Sequence, residues 1–455
     1  MHRAAFITLS IWATFAQAFY PYIPIYACDE YHGCQDEDKR SMPAGELHQA
    51  ASRDADVGDL LTFKLTQRSS PGDQDPATIA ARQAERLRRK FRSKRVVSTL
   101  TRSEDPIKRA NAFSVSTAET PSATNSVGID QDGSDISYFV EAKLGSKADP
   151  VYLLCDTGAG SSWIMGSDCT STACQDHTTW KASDSTTYEA TGETFSIAYG
   201  TGSVSGTLAK DSISIASVEL TMEFGVANIT SDDFTHFAFD GILGLSMASG
   251  STDNFVSTIK SEKILTSNVF GVNLNRHTDC LNTGELTFGG TDSSKFTGDI
   301  TYTAVDSDAG GDWAIAMDDV AYNGTKAGIT NRLAYIDTGT TYAFAPSADV
   351  VALHELIPGA SSTDNVTYTA PCDSAQPIII TFSGVDREVS VKDWLSSPSS
   401  SGICTSNIYG REVVAGAWLL GDVFLKNVYT VFDADASRVG EWNAHGLTAT
   451  RFLRY

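Results

Sequence analysis

The sequence predicts an all-β fold, mainly antiparallel, built as two lobes related by a pseudo-twofold axis with a cleft between them. Three observations lead there. One motif pair occurs twice, at nearly the same internal spacing. Ser and Thr crowd the later part of a chain that also holds 36 Gly, a composition of strands and turns rather than long helices. Hydrophobic residues make up 41 % and charged residues 20 % of the 455, enough for a sizeable core and against wholesale disorder.

The repeat comes first because it carries the most. Val151, Tyr152, Leu153, Leu154 and Cys155 run into Asp156-Thr157-Gly158. Leu333, Ala334, Tyr335 and Ile336 run into Asp337-Thr338-Gly339-Thr340. Each is followed by an apolar-apolar-Gly run. Ile242-Leu243-Gly244 lies 88 residues after the first Asp, and Leu419-Leu420-Gly421 lies 84 after the second. Apolar runs of this length, bounded by Gly, read as buried strands.

Each Asp therefore ends an apolar strand, where it can be held away from bulk water. The Gly after Asp-Thr lets backbone approach closely and leaves an N–H aimed at the carboxylate. The Thr hydroxyl can reach the opposite loop and lock the two together. Two such loops on a pseudo-twofold axis set two carboxylates side by side, where both cannot ionise and one proton is shared.

In these residues the chain resembles the pepsin-like family of aspartic endopeptidases, over roughly residues 138–442. Proton sharing by two Asp is best known from that family. The resemblance implies Asp156 and Asp337 as the catalytic pair and Thr157, Gly158, Thr338, Gly339 and Thr340 as their loops. A water between the pair would be activated without a covalent intermediate, one carboxyl accepting its proton and the other donating to the scissile carbonyl oxygen. The run 197–203, Ile-Ala-Tyr-Gly-Thr-Gly-Ser, resembles the flap that closes over substrate. Tyr199, Gly200 and Thr201 would contact substrate there, with Trp163 as the partner of Tyr199. Phe239 and Ile242, with Phe234 and Phe237, would make apolar pockets favouring hydrophobic residues around the cut. Thr201 stands where some relatives carry Asp, so special acceptance of lysine is not expected. The run 419–442 resembles the closing strands of the family.

Eight cysteines in an exported chain suggest disulfides. The resemblance pairs Cys169 with Cys174 and Cys372 with Cys404, the latter stabilising its lobe by about 3.5 kcal/mol through loop entropy. Cys155 reads as a free thiol packed as a small hydrophobe, with a bridge to Cys280 left open. Cys28, His32 and Cys34 fit no common zinc spacing, so a disulfide is expected there. The eight His are scattered without metalloprotease spacing, and no Ser-His signature is present. No metal or organic cofactor is expected. One departure matters. The family usually has Ser after the first Asp-Thr-Gly; this chain has Ala159. A lost donor near Asp156 predicts an acid limb of activity at higher pH than in a Ser-bearing relative.

Processing signals frame the enzyme. Met1-His2-Arg3, an apolar run over 4–15 and Ala16-Gln17-Ala18 read as a signal peptide over 1–18 cut after Ala18. Up to Arg109 there are 17 Lys/Arg against 14 Asp/Glu; from 110 onward, 17 against 42. Residues 82–109 alone carry 11 basic and 3 acidic residues. An acidic body (net −25) behind a basic segment (net +8) points to an intramolecular clamp rather than a nucleic-acid patch. It would be an inhibitory propeptide over 19–109, with a strand over 60–66, a helix over 83–90 and a dibasic cut at Arg109. A connector over 110–134, an N-terminal lobe over 135–303 and a C-terminal lobe over 304–455 complete the division. Asn228, Asn323 and Asn365 head glycosylation sequons. The expected protein is a monomer without membrane anchor, secreted or sent to an acidic vacuolar or lysosome-like compartment, acting on polypeptides. The rivals are a catalytically inactive binding or inhibitor protein of the same fold, against which both intact loops and Tyr199 count, and a two-carboxylate glycosidase.

Overall fold

A computed structural model describes residues 113–443, apart from 114, 147–149, 200–201, 280–281 and 400–401, together with Ala80 and Ala84. The expected signal segment with Ala18, the strand over 60–66, Arg109, Cys28, Cys34, Cys280 and the flap-tip residues Gly200 and Thr201 lie outside the described residues. Of the helix expected over 83–90, only Ala84 is described, and it is helical. The chain divides into two compact units. The described part of the first is the single turn His277–Asp279, where Arg276 and Asp279 pair at 3.4 Å. The second, 67–275 with 282–455, contains all that follows.

Strand is the main regular structure among the described residues of this unit. Thirteen strands form one sheet that begins at Thr301–Ala304 and ends at Glu189–Ala198. Its middle runs through Ser126–Gln131, Tyr138–Leu144 and Pro150–Asp156. Strands buried on both faces are apolar throughout. In Pro150–Asp156 the residues Val151, Leu153, Leu154 and Cys155 are all buried, as is the whole of Gly241–Gly244. Strands with a wet face alternate instead, as along Ser203–Ile215, where Val204, Gly206, Leu208, Asp211, Ile213 and Ile215 turn inward. Among the few helices, Phe255–Glu262 starts where the Asn254 side chain accepts from the Ser257 N–H at 2.8 Å and stops at Lys263 in the left-handed conformation.

The internal repeat is a repeat of strand pairing. Pro150–Asp156 runs parallel to Gly241–Gly244, with Asp156 opposite Gly244, and Trp163–Met165 pairs antiparallel to the latter. In the second half Arg332–Ile336 runs parallel to Trp418–Leu420, with Ile336 opposite Leu420, and Ala343–Phe344 pairs antiparallel to that. The Gly spaced 88 or 84 residues from its Asp is thus its neighbour across the sheet. The halves are joined by Val428–Asp433, which pairs with Arg438–Asn443 on one side and with Val269–Asn273 on the other. This is the mainly antiparallel all-β fold that the repeat and the composition predict.

The spacing glycines are steric requirements. A Cβ on Gly244 would lie 2.6 Å from Ser161 O and 2.7 Å from Ala159 O. One on Gly421 would lie 2.0 Å from Thr340 O and 2.7 Å from Tyr342 O. Both backbones press on the loop that follows a repeated Asp. Gly421→Ala is expected to cost about 3 kcal/mol or more, read from a denaturant midpoint, because rigid backbone must move. Gly290→Ala, where nothing lies within 4 Å, should change stability by less than about 0.5 kcal/mol. Equal effects at the two sites would refute the packing argument.

Candidate active site

The repeated loops meet through their threonines. The Thr157 hydroxyl donates to Ile336 O at 2.8 Å and accepts from the Thr338 N–H at 3.0 Å. The Thr338 hydroxyl donates to Cys155 O at 2.7 Å and accepts from the Thr157 N–H at 3.1 Å. Four hydrogen bonds therefore cross between the halves with twofold symmetry. Both threonines are buried, so each bond replaces a hydration that neither loop could otherwise keep.

This interlock brings the two acids together. Asp156 and Asp337 are each 1 % exposed. The Gly158 N–H donates to Asp156 Oδ1 at 3.1 Å, and the Gly339 N–H donates to Asp337 Oδ1 at 2.9 Å. A Cβ on Gly339 would fall 2.4 Å from Asp156 Cγ. The backbone beside Asp337 thus lies directly against the Asp156 carboxylate. Two strand ends, each fixed by its parallel neighbour, deliver the pair: Leu245 N–H donates to Asp156 O, and Asp337 N–H donates to Leu420 O.

The two loops differ at the residue after the Gly. The Thr340 hydroxyl donates to Asp337 Oδ2 at 2.8 Å. At the matching place in the first loop stands Ala159, buried, with a methyl in place of a hydroxyl.

Beneath the loops lies a charged floor that the motifs did not reveal. Lys426 Nζ is buried and pairs with Asp135 at 3.0 Å and Asp393 at 3.1 Å, tying the start of the first half to the end of the second. Asp422 is buried beside it, its N–H donating to Thr340 O at 2.7 Å. Burial pushes the Asp422 carboxyl well above the usual range; Lys426 opposes this, and Asp337, Asp135 and Asp132 add to it. The spacing of Asp422 and Lys426, one helical turn, is the only sequence cue to this floor. Cys155 is a free, buried thiol whose ionisation burial and the nearby Asp422 and Asp156 push up.

The run that resembles a flap lies in a hairpin. Glu189–Ala198 pairs with Ser203–Ile215, and the Tyr199 N–H donates to Gly202 O at 2.7 Å. The Trp163 indole N–H donates to the Tyr199 hydroxyl at 2.6 Å, the partnership expected from the sequence. Phe234 meets both rings edge-on, at 5.2 and 5.9 Å. Phe239 and Ile242 belong to the same buried cluster as Trp163, Tyr199 and Phe234; Phe237 stacks on Phe239 at its partly exposed margin. Cys169–Cys174 and Cys372–Cys404 are disulfides. Asn323 and Asn365 sit at exposed turns with positive φ, whereas Asn228 lies half-buried in a strand. Among the described residues no group of three His, Cys, Asp or Glu is arranged to hold a metal ion, and no helix is long and apolar enough to cross a membrane.

Comparison with known proteins follows the same lines. The model of the eukaryotic aspartyl protease family matches residues 137–443. The aspartic-type endopeptidase ctsD of Aspergillus fumigatus is 40 % identical over 347 residues, covering 75 % of this chain and 73 % of that protein. A probable aspartic-type endopeptidase CTSD of Trichophyton verrucosum is 41 % identical over 337 residues, 73 % of this chain and 66 % of that protein. Pepsin A of Bos taurus is 32 % identical over 319 residues, 67 % of this chain and 84 % of that protein. With both repeated loops inside the matched region, the chain belongs to the eukaryotic aspartyl protease family.

Proposed function

We propose that this aspartic endopeptidase cuts peptide bonds at acidic pH with a water held between Asp156 and Asp337. The observation that supports this most is the threonine interlock, which leaves Gly339 pressed against the Asp156 carboxylate. Two acids so placed share one proton. The ionised form takes a proton from the water as it attacks the scissile carbonyl. The protonated form donates to the oxygen that gains charge, and the amine leaves when the tetrahedral intermediate collapses. Which carboxyl holds the proton at rest is a property of the pair.

The substrate would lie as an extended strand between the flap and the two loops, its backbone paired with the hairpin. Trp163, Tyr199 and Phe234 present an aromatic wall there, which favours hydrophobic side chains around the cut. The basic segment before residue 110 would hold the acidic body closed at neutral pH and let go as carboxylates protonate. Ala80 and Ala84, within that expected propeptide, are helical and buried in the main hydrophobic cluster, which fits a segment docked on the body. Such an enzyme would be secreted, with sugars on Asn323 and Asn365, or sent to an acidic compartment.

Asp156→Asn and Asp337→Asn should each lower kcat on an acid-denatured protein by at least about 10³-fold, with folding retained. Either variant digesting at the wild-type rate would refute the dyad. Ala159→Ser adds a donor to the first carboxylate and so favours its charged form. The acid limb of kcat/KM should then move to lower pH, and an unmoved limb would contradict the role given to Ala159.

A further inference from the structure

His177 is buried, 7 % exposed, directly after the helix Thr172–Asp176 in the loop next to the Cys169–Cys174 disulfide. Its two ring nitrogens face two backbone carbonyls. Nδ1 lies 2.6 Å from Ala173 O, and Nε2 lies 2.8 Å from Phe237 O. A carbonyl oxygen can only accept, so both contacts are hydrogen bonds only if both nitrogens carry protons. A neutral imidazole would set one lone pair against an oxygen at bonding distance. Its surroundings suit the doubly protonated ring. The carbonyl of Ala173 belongs to a helix C-terminal turn, where cations are favoured. The Phe113 ring lies 4.9 Å away, tilted over the imidazole.

The elements packed here carry mostly acids: Asp168 and Asp176 on the disulfide loop and its helix, Asp232 and Asp233 with His236 on the turn Asp232–His236, and Asp240 at the foot of Gly241–Gly244. Asp240 accepts from the Tyr152 N–H at 2.9 Å and the Thr178 N–H at 2.8 Å, so this corner is anchored to the strand that ends in Asp156. Phe237, whose carbonyl His177 holds, stacks on Phe239, which lies edge-on at 6.4 Å to Phe234, the ring that touches Trp163 and Tyr199. The imidazole thus ties the aromatic wall to the disulfide loop.

We propose that His177 is a positioning residue for substrate binding: with both ring nitrogens donating, it clamps the carbonyls of Ala173 and Phe237 and sets the aromatic wall. The inference rests on the reading that Trp163, Tyr199 and Phe234 contact substrate. Asp240 strengthens the same corner. Burial pushes its carboxyl up from 3.8 to about 6, against the Tyr152 N–H, the imidazole of His177 and the Thr178 N–H. A carboxyl raised in the folded state supports folding fully below its unfolded value and withdraws that support as pH rises through about 6. The corner is therefore firmest in acid, where the enzyme would work.

The test compares wild type with His177→Gln, which keeps one donor and cannot carry the charge, on a peptide with hydrophobic residues flanking the cut. At pH 4 the variant should show a KM about tenfold higher with kcat within about twofold. A ratio of the two KM values near one at pH 4, or a loss confined to kcat, overturns the proposal. Asp156→Asn is assayed alongside: hydrolysis surviving there sinks the catalytic reading, whereas its loss with a KM ratio of one sinks only the His177 clamp. If His177→Gln does not fold, nitrogen NMR on wild type with a bound statine-type peptide reads the ring directly. Two N–H groups at pH 4 for the imidazole contacting Phe113 support the clamp, and one overturns it.

Discussion

Two buried threonines, Thr157 and Thr338, hold each other's backbone N–H groups and the carbonyls of Ile336 and Cys155. Every statement about chemistry in this molecule depends on that exchange. A carboxylate at the end of one strand is an ordinary acid. Two of them share a proton only when their loops are fixed to a few tenths of an ångström, and loops alone are rarely that rigid. Here each loop is the other's support, and the parallel strand beside each sets how far it reaches. The glycines at 244 and 421 allow that approach because no Cβ fits there.

Around this symmetric centre the surroundings are unequal, and the differences have chemical consequences. Thr340 gives Asp337 a hydroxyl donor where Ala159 offers Asp156 a methyl. The floor places the cation Lys426 between Asp135 and Asp393, beside an Asp422 that burial drives toward its neutral form. A buried cation with two anionic partners is costly to break, since removing one partner leaves charge without compensation, by about 3–5 kcal/mol. The floor thus resists displacement of the loops from below. The aromatic cluster of Trp163, Tyr199 and Phe234 is bound to the Trp163 strand, and the carbonyl of nearby Phe237 faces His177.

Much of this was legible in the sequence because the repeat is local. An apolar run, Asp-Thr-Gly and a spaced Gly are each visible within a few residues, and their recurrence supplies the long-range pairing that a single strand never declares. The cysteine pairs and the Trp163–Tyr199 contact followed from the family resemblance. What stayed hidden depends on contacts between distant residues of no fixed spacing. Nothing near Asp135 announces that Lys426, 291 residues later, will be its partner. Nothing in the run from 169 to 178 shows that two carbonyls, one of them 60 residues away, will face one imidazole. Phe239 and Ile242 read as pocket residues from their place in a motif, but their packing with Trp163, Tyr199 and Phe234 in one buried cluster comes from segments whose spacing declares nothing.

The most direct test of the interlock is a double-mutant cycle on its hydroxyls, Thr157→Val, Thr338→Val and the pair, read by denaturant unfolding and by kcat. Each single change strands a buried N–H and should cost about 2–4 kcal/mol with a large fall in kcat. The double change should cost at least about 1 kcal/mol less than the sum, because the same two loops part only once. Costs that simply add, with peptide cleavage near the wild-type rate in all three variants, would contradict the claim that these threonines hold the dyad together.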